Sequence, residues 1–260
     1  MKLAISGKGG VGKSTVSAAL ALLLARGGTR VLAVDADPDA NLASCLGIPQ
    51  KVQQREIIPI GAQRKLIEER TGAKVRQYGQ MFTLNPDVSD IADSHAYTHE
   101  GVSLLVLGAA QQAGAGCACP ESVILRSLVS ELVLHRNQAL ILDMEAGIEH
   151  LGRATAQGVD TMLAVTEPGQ RSVDSTLRIL RRCAAIGVGD VRVVVNKVQG
   201  PEDEAFVREA IGDVPVLASI PYAPAIRAND RDGRSALDGL PEEIVGRFRE
   251  ILERLSGRES

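Results

Sequence analysis

The run Gly7-Lys8-Gly9-Gly10-Val11-Gly12-Lys13-Ser14-Thr15 constrains this chain more than any other stretch. It satisfies G-x-x-x-x-G-K-[ST], and its flanks supply the strand and helix that the pattern requires. Lys2 to Ser6 reads as a short apolar strand. Val16, Ala19, Leu20, Leu23 and Leu24 then fall at helical spacing up to Gly27-Gly28. Glycines in such a loop let backbone N–H groups turn inward around a phosphate, helped by the positive end of the following helix. Gly9, Gly10, Val11, Gly12 and Thr15 would form the cradle. Lys13 would reach the β- and γ-phosphates, and Ser14 would give an oxygen to Mg²⁺. Gly7, Gly9 and Gly12 also satisfy G-x-G-x-x-G, with Asp35 ending the next strand as a dinucleotide site requires. A dinucleotide would leave Lys13-Ser14 without a role, whereas a nucleoside triphosphate uses both.

Behind the loop, apolar runs at 3–6, 30–34, 103–107, 139–144, 161–166, 191–196 and 216–220 alternate with helical patterns at 122–135, 172–185 and 202–211. Several runs are continuous Val/Ile/Leu stretches, the mark of strands buried on both faces of a parallel sheet. The expected fold is α/β, doubly wound, with a mostly parallel sheet and helices on both faces. One domain over 1–260 accounts for the length, closed by a helix at about 241–256. The stretch from about 48 to 100 breaks the rhythm. It is rich in Gln and charge, and reads as a helix followed by an extended excursion over the sheet edge, serving partner recognition or plain surface elaboration.

Composition narrows the partners. Only 2% of residues are aromatic, none is Trp, the net charge is −3 and there is no basic run, so a nucleic-acid surface is not expected. No apolar run approaches a membrane span, and a first strand beginning at Lys2 leaves no room for an export signal ahead of the loop. Four cysteines in such a chain point to a reducing, cytoplasmic setting and to metal or redox use in place of disulfides.

Two acidic turns follow strands. Val34-Asp35-Ala36-Asp37-Pro38-Asp39 puts carboxylates at the C-terminal edge of a parallel strand, where Mg²⁺ and an attacking water belong. Asp35 would act near Mg²⁺ or hold the loop. The strand ending Ile141-Leu142-Asp143 has the Walker B arrangement, with Asp143 holding Mg²⁺ directly or through water, and Gly147 would let the next loop approach the γ-phosphate. His150 reads as a switch or dimer contact, or as structure alone.

The departure from a generic nucleotide hydrolase is Gly116-Cys117-Ala118-Cys119-Pro120-Glu121. Pro120 can open a helix whose dipole favours a thiolate at Cys119. One chain offers two thiolates and a closed metal site uses four ligands, so a two-fold dimer would complete a site for Zn²⁺ or Ni²⁺. Cys45 and Cys183 fall in helical patterns with apolar neighbours and read as packing residues. His95 and His99 stand four apart and would chelate a metal only if helical.

The loop with its extra lysine, K-G-G-x-G-K-[ST], resembles the deviant Walker A motif of the MinD/ParA/nitrogenase-iron-protein ATPases. That resemblance implies a homodimer closed by ATP, in which Lys8 crosses to the partner's nucleotide. It also implies that Asp37, just before proline, positions or activates the water, that Asn196-Lys197 binds the nucleoside with Asn196 contacting the adenine, and that Pro221 and Tyr222 line the base. With Cys117-x-Cys119 before Pro-Glu and D-M-E-A-G-I-E-H after, the chain resembles the CooC-type nickel-insertion ATPases. Membership there implies Ni²⁺ or Zn²⁺ held between Cys117 and Cys119 of two subunits, and apo carbon monoxide dehydrogenase or a related nickel enzyme as client. Two alternatives remain open. One is an iron–sulfur carrier or reductase like the nitrogenase iron protein, and the other a MinD-like spatial switch using the amphipathic 242–255 segment.

Overall fold

The apolar run before the glycine-rich loop forms β1 (Lys2–Gly7), which runs through the middle of an eight-stranded sheet in this computed structural model. Residues 1–75, 80–108, 120–135, 138–145 and 153–257 are described. From β1 the chain enters α1 (Lys13–Arg26), β2 (Val31–Asp35), α2 (Leu42–Cys45) and α3 (Gln50–Glu56). A 3₁₀ turn at Ile60–Ala62 precedes α4 (Arg64–Thr71), α5 (Ile91–His95), β3 (Tyr97–His99) and β4 (Val102–Val106). Next come α6 (Pro120–His135), β5 (Ala139–Asp143), α7 (Arg153–Gln157), β6 (Thr161–Thr166) and α8 (Gln170–Ile186). The chain closes with β7 (Val191–Val198), α9 (Pro201–Ile211), β8 (Val216–Pro221), α10 (Pro224–Asp232) and α11 (Glu242–Leu255).

The strand order is β3-β4-β2-β5-β1-β6-β7-β8, parallel throughout except for β3, which pairs antiparallel with β4. Every residue of β2, β5 and β6 is buried, as expected of Val/Ile/Leu strands covered on both faces. One core lies under α1 and α11, and the other under α6, α8 and α9. In α11, Ile244, Val245, Phe248 and Ile251 pack toward the sheet and α1, each worth about 2 kcal/mol of apolar burial. Its apolar stripe is therefore covered by its own domain. Among the described residues, no helix is long and apolar enough to cross a membrane.

Three features differ from expectation. The 48–100 stretch holds more helix than expected, with α3 and α4 ahead of an 80–90 segment that has no helix or strand. Its short helices put Ile60, Ile67, Ile91 and Ala92 into the core shared with α6, but these apolar residues are too sparse to show a period. The antiparallel β3 was not foreseen, because three residues at an edge carry too little pattern. Its presence also separates the histidines. His95 ends α5 and His99 lies on β3, so they do not share a helical turn.

Candidate nucleotide site

The loop between β1 and α1 has the geometry its glycines permit. Gly10 and Gly12 take φ 83° and 94°, in the left-handed region. Gly12 also has no room for a side chain, since a Cβ there would lie 2.4 Å from the Asn196 amide nitrogen. The first α-helical bond runs from Val16 N to Gly12 O, so the N–H groups of Lys13 to Thr15 have no partner within the helix. No acidic residue stands in the first turn of α1 and no side chain caps it. The positive end of a largely buried helix is thus left open to an anion.

Lys13 is buried, with Nζ 3.4 Å from Asp37 Oδ2. Asp37 is also buried, and its Oδ1 accepts the Asp39 N–H at 3.0 Å. Asp35 and Asp143 end adjacent strands in register, both fully buried. Both oxygens of Asp35 accept backbone N–H groups, Oδ2 from Leu42 at 2.9 Å and Oδ1 from Asp37 at 3.2 Å. Asp35 holds the acidic turn. Asp143 Oδ1 accepts from Ser17 Oγ at 3.2 Å, while its Oδ2 has no hydrogen-bond partner among the described residues.

Burial pushes the Asp35 carboxyl up to about 7, with the Asp143 charge adding to it and the two N–H bonds opposing. Burial likewise raises Asp143 to about 6, against the nearby Ser14 hydroxyl, the Lys13 charge and Ser17. A buried carboxylate oxygen with no partner, beside Ser14, is the arrangement a divalent cation satisfies.

The loop opens onto a cleft of about 900 Å³. Asn196, Lys197, Pro221 and Tyr222 line it, as do Asp37 and the loop residues from Gly9 to Thr15 other than Val11. Val11 is buried beneath the loop. Lys8 is partly exposed. Sequence reasoning missed the far wall, where Ile226, Arg227 and Asp230 of α10 face Ser44, Cys45 and Gln53. A short polar helix after the last strand has no motif to announce it. Cys45, read as a packing residue, lines the cleft, and burial first and the Asp143 charge second push its thiol up to about 12. Cys183 is buried in α8, as expected of packing. Cys117, Cys119, Gly147 and His150 lie outside the described residues. Among the described residues, no group of three or more His, Cys, Asp or Glu is placed to hold a metal.

Residues 2–236 match the family model described as the CobQ/CobB/MinD/ParA nucleotide binding domain. Over 241 residues the chain is 42% identical to the carbon monoxide dehydrogenase accessory protein CooC of Rhodospirillum rubrum, covering 93% of this chain and 91% of that protein. It is equally similar, at 42% over 225 residues and 85% of each chain, to an uncharacterized ATP-binding protein of Methanocaldococcus jannaschii. In fold it is similar to a chain of the MinC:MinD cell division protein complex of Aquifex aeolicus, with TM-score 0.69, 19% identity and coverage of 100% of this chain and 97% of that one. It is also similar to MinD complexed with Mg-ADP from Pyrococcus horikoshii, with TM-score 0.67, 23% identity and coverage of 98% and 95%.

Proposed function

We propose that this chain, a phosphate-loop ATPase that belongs to the CobQ/CobB/MinD/ParA nucleotide-binding family, uses ATP hydrolysis to drive nickel insertion into carbon monoxide dehydrogenase or a related nickel enzyme. The observation that carries this reading is the 42% identity to a carbon monoxide dehydrogenase accessory protein across 93% of the chain. The Cys117-x-Cys119 pair supports it, as a thiolate donor set suited to a soft or borderline metal cargo.

In this reading the α1 N-terminus and the loop N–H groups bind the β- and γ-phosphates of ATP, and Lys13 leaves Asp37 to neutralise them. Asp37, released from that ion pair, orients the attacking water and accepts its proton at a carboxylate oxygen. Ser14 and Asp143 would hold Mg²⁺, which would supply charge neutralisation for the phosphates. Asp35 keeps the acidic turn in place throughout. Pro221 and Tyr222 pack beside the base, together with Asn196. A second copy of the chain brings its own Lys8 to the bound phosphates. It also brings a second Cys117/Cys119 pair, so that the cargo, Ni²⁺ or Zn²⁺, has four thiolates.

Anaerobic Ni²⁺ titration of the apo-protein, with dimer mass read alongside thiolate-to-metal charge transfer, tests the reading. One Ni²⁺ per dimer, lost in Cys117→Ala, supports it. No stoichiometric nickel or zinc in either nucleotide state leaves a switch ATPase without cargo. A brown chromophore in anaerobic protein favours an iron–sulfur carrier.

A further inference from the structure

The end of β7 carries a conformation that a long side chain seldom adopts. Lys197 has φ 63°, and the register with β8 slips between Asn196 and Val198. A non-glycine residue in the left-handed region persists where its surroundings over-determine it. The surroundings here are the back of the phosphate loop. Asn196 Nδ2 donates to Val11 O at 2.8 Å, and Lys197 Nζ donates to Gly10 O at 2.6 Å. Asn196 Oδ1 accepts the Lys197 N–H at 2.9 Å, which ties the two braces together. On its other side, Lys197 Nζ lies 3.0 Å from Glu167 Oε2, in the turn between β6 and α8.

The loop has need of such a brace. Gly9 and Gly10 are exposed, and a Cβ on either would meet nothing within 4 Å, so packing does not fix their peptides. A cradle of inward N–H groups also requires the neighbouring carbonyls to turn outward. For glycine peptides without packing, hydrogen bonds set that orientation: Val11 N–H closes the turn on Lys8 O at 3.4 Å, and Lys197 Nζ holds the Gly10 carbonyl.

We propose that Lys197 is a positioning residue for the phosphate loop. It fixes the Gly10 carbonyl while Glu167 steers its ammonium, so that the loop N–H groups are preorganised for a polyphosphate whatever base is attached. Glu167 also balances the lysine charge. The contribution of Lys197 to affinity is therefore geometric, and it passes through the loop and not through the base. The proposal rests on nucleotide binding alone and stands or falls independently of the metal cargo.

The test compares calorimetric titration of the full chain with ADP and with tripolyphosphate, which has no base. Lys197→Gly keeps the left-handed backbone and removes the ammonium. Lys197→Asn, which also tolerates that backbone and is too short to reach Gly10, is the second variant should the glycine variant fold poorly. Both are expected to lose about tenfold in affinity for ADP and for tripolyphosphate alike, the scale of one hydrogen bond from a charged donor. The apo melting temperature is expected to stay near that of the wild type. Lys197→Arg, still able to reach a carbonyl, recovers part of the loss, and Glu167→Gln gives a smaller loss of the same kind. Weaker ADP binding with tripolyphosphate unchanged would make Lys197 a base contact and overturn the proposal. Unchanged affinity for both would do so too, as would a wild type that fails to bind tripolyphosphate.

Discussion

The C-terminal ends of β2 and β5 look alike and behave differently. Each ends in a fully buried aspartate, Asp35 and Asp143, and the two stand side by side in the sheet register. Asp35 has both oxygens on backbone N–H groups of the turn that follows it. Asp143 has one oxygen on Ser17 and leaves the other without a partner among the described residues. A carboxylate that closes its own turn is structural, and one that keeps an unsatisfied oxygen in a dry site is available to a cation. The same residue type at the same depth thus divides into a brace and a carboxylate with one unpartnered oxygen among the described residues, according to which backbone donors its own loop provides.

Hydrolysis should separate them most sharply. Asp143→Asn is expected to lower kcat by about 10²–10³, the usual effect of removing one group that stabilises developing charge. Magnesium dependence measured in steady-state ATPase assays should weaken in parallel. If the rate changes by less than threefold, Asp143 is not the cation ligand.

Folding stability should separate them in the opposite sense. Asp35→Ala leaves two buried N–H groups without acceptors and is expected to cost about 2–4 kcal/mol in urea unfolding of the apo-protein. Asp143→Asn removes a partly unsatisfied buried carboxylate and is expected to leave apo stability unchanged or higher. Equal destabilisation by the two substitutions would erase the distinction.

The pH dependence follows from the same pair. Both folded pKa values lie above the unfolded value of 3.8, at about 7 for Asp35 and about 6 for Asp143. The native state therefore binds more protons than the unfolded chain between those limits, and stability falls as pH rises. The decline begins near 4, the Asp143 contribution ends near 6 and that of Asp35 near 7. Apo wild type should lose on the order of a few kcal/mol across that window relative to Asp35→Asn/Asp143→Asn, by urea unfolding at pH 5 and pH 8. Parallel curves for the two proteins would show that neither carboxyl is perturbed.

Cys45 is the smallest probe of the contrast. Its thiol, pushed up to about 12, should alkylate slowly at neutral pH in a Cys117→Ala/Cys119→Ala background. Burial is the main cause and Asp143 the next, so Asp143→Asn should speed the reaction modestly. Mass spectrometry of iodoacetamide-treated protein reads this directly, and no change in rate would place the Asp143 charge too far away to matter.

Much of this was legible in advance because it depends on local pattern. The run at 139–144 announced a buried parallel strand, observed over Ala139–Asp143, and the Gly7–Thr15 run announced a glycine loop together with the helix behind it. The amphipathic period of 242–255 placed a helix correctly. The 48–100 stretch was less legible, because its core residues come singly from separate short helices and meet in one core with α6 and the sheet only in three dimensions. For α10 there was a further obstacle, since only Asn229 of that helix is buried and hydrophobic patterning had little to act on.

By itself, then, the sequence determined the strands, the phosphate loop and the acids that end β2 and β5, since each follows from spacing along one segment. Tertiary structure decided that Asp143 gives one oxygen to Ser17 of α1 and keeps the other without a partner among the described residues. It also decided that Lys197, from the far end of the chain, reaches back to the carbonyl of Gly10. Donors and acceptors that meet across a sheet are separated by more than a hundred residues of chain. Their partnership is set by strand order and register, which no local period encodes.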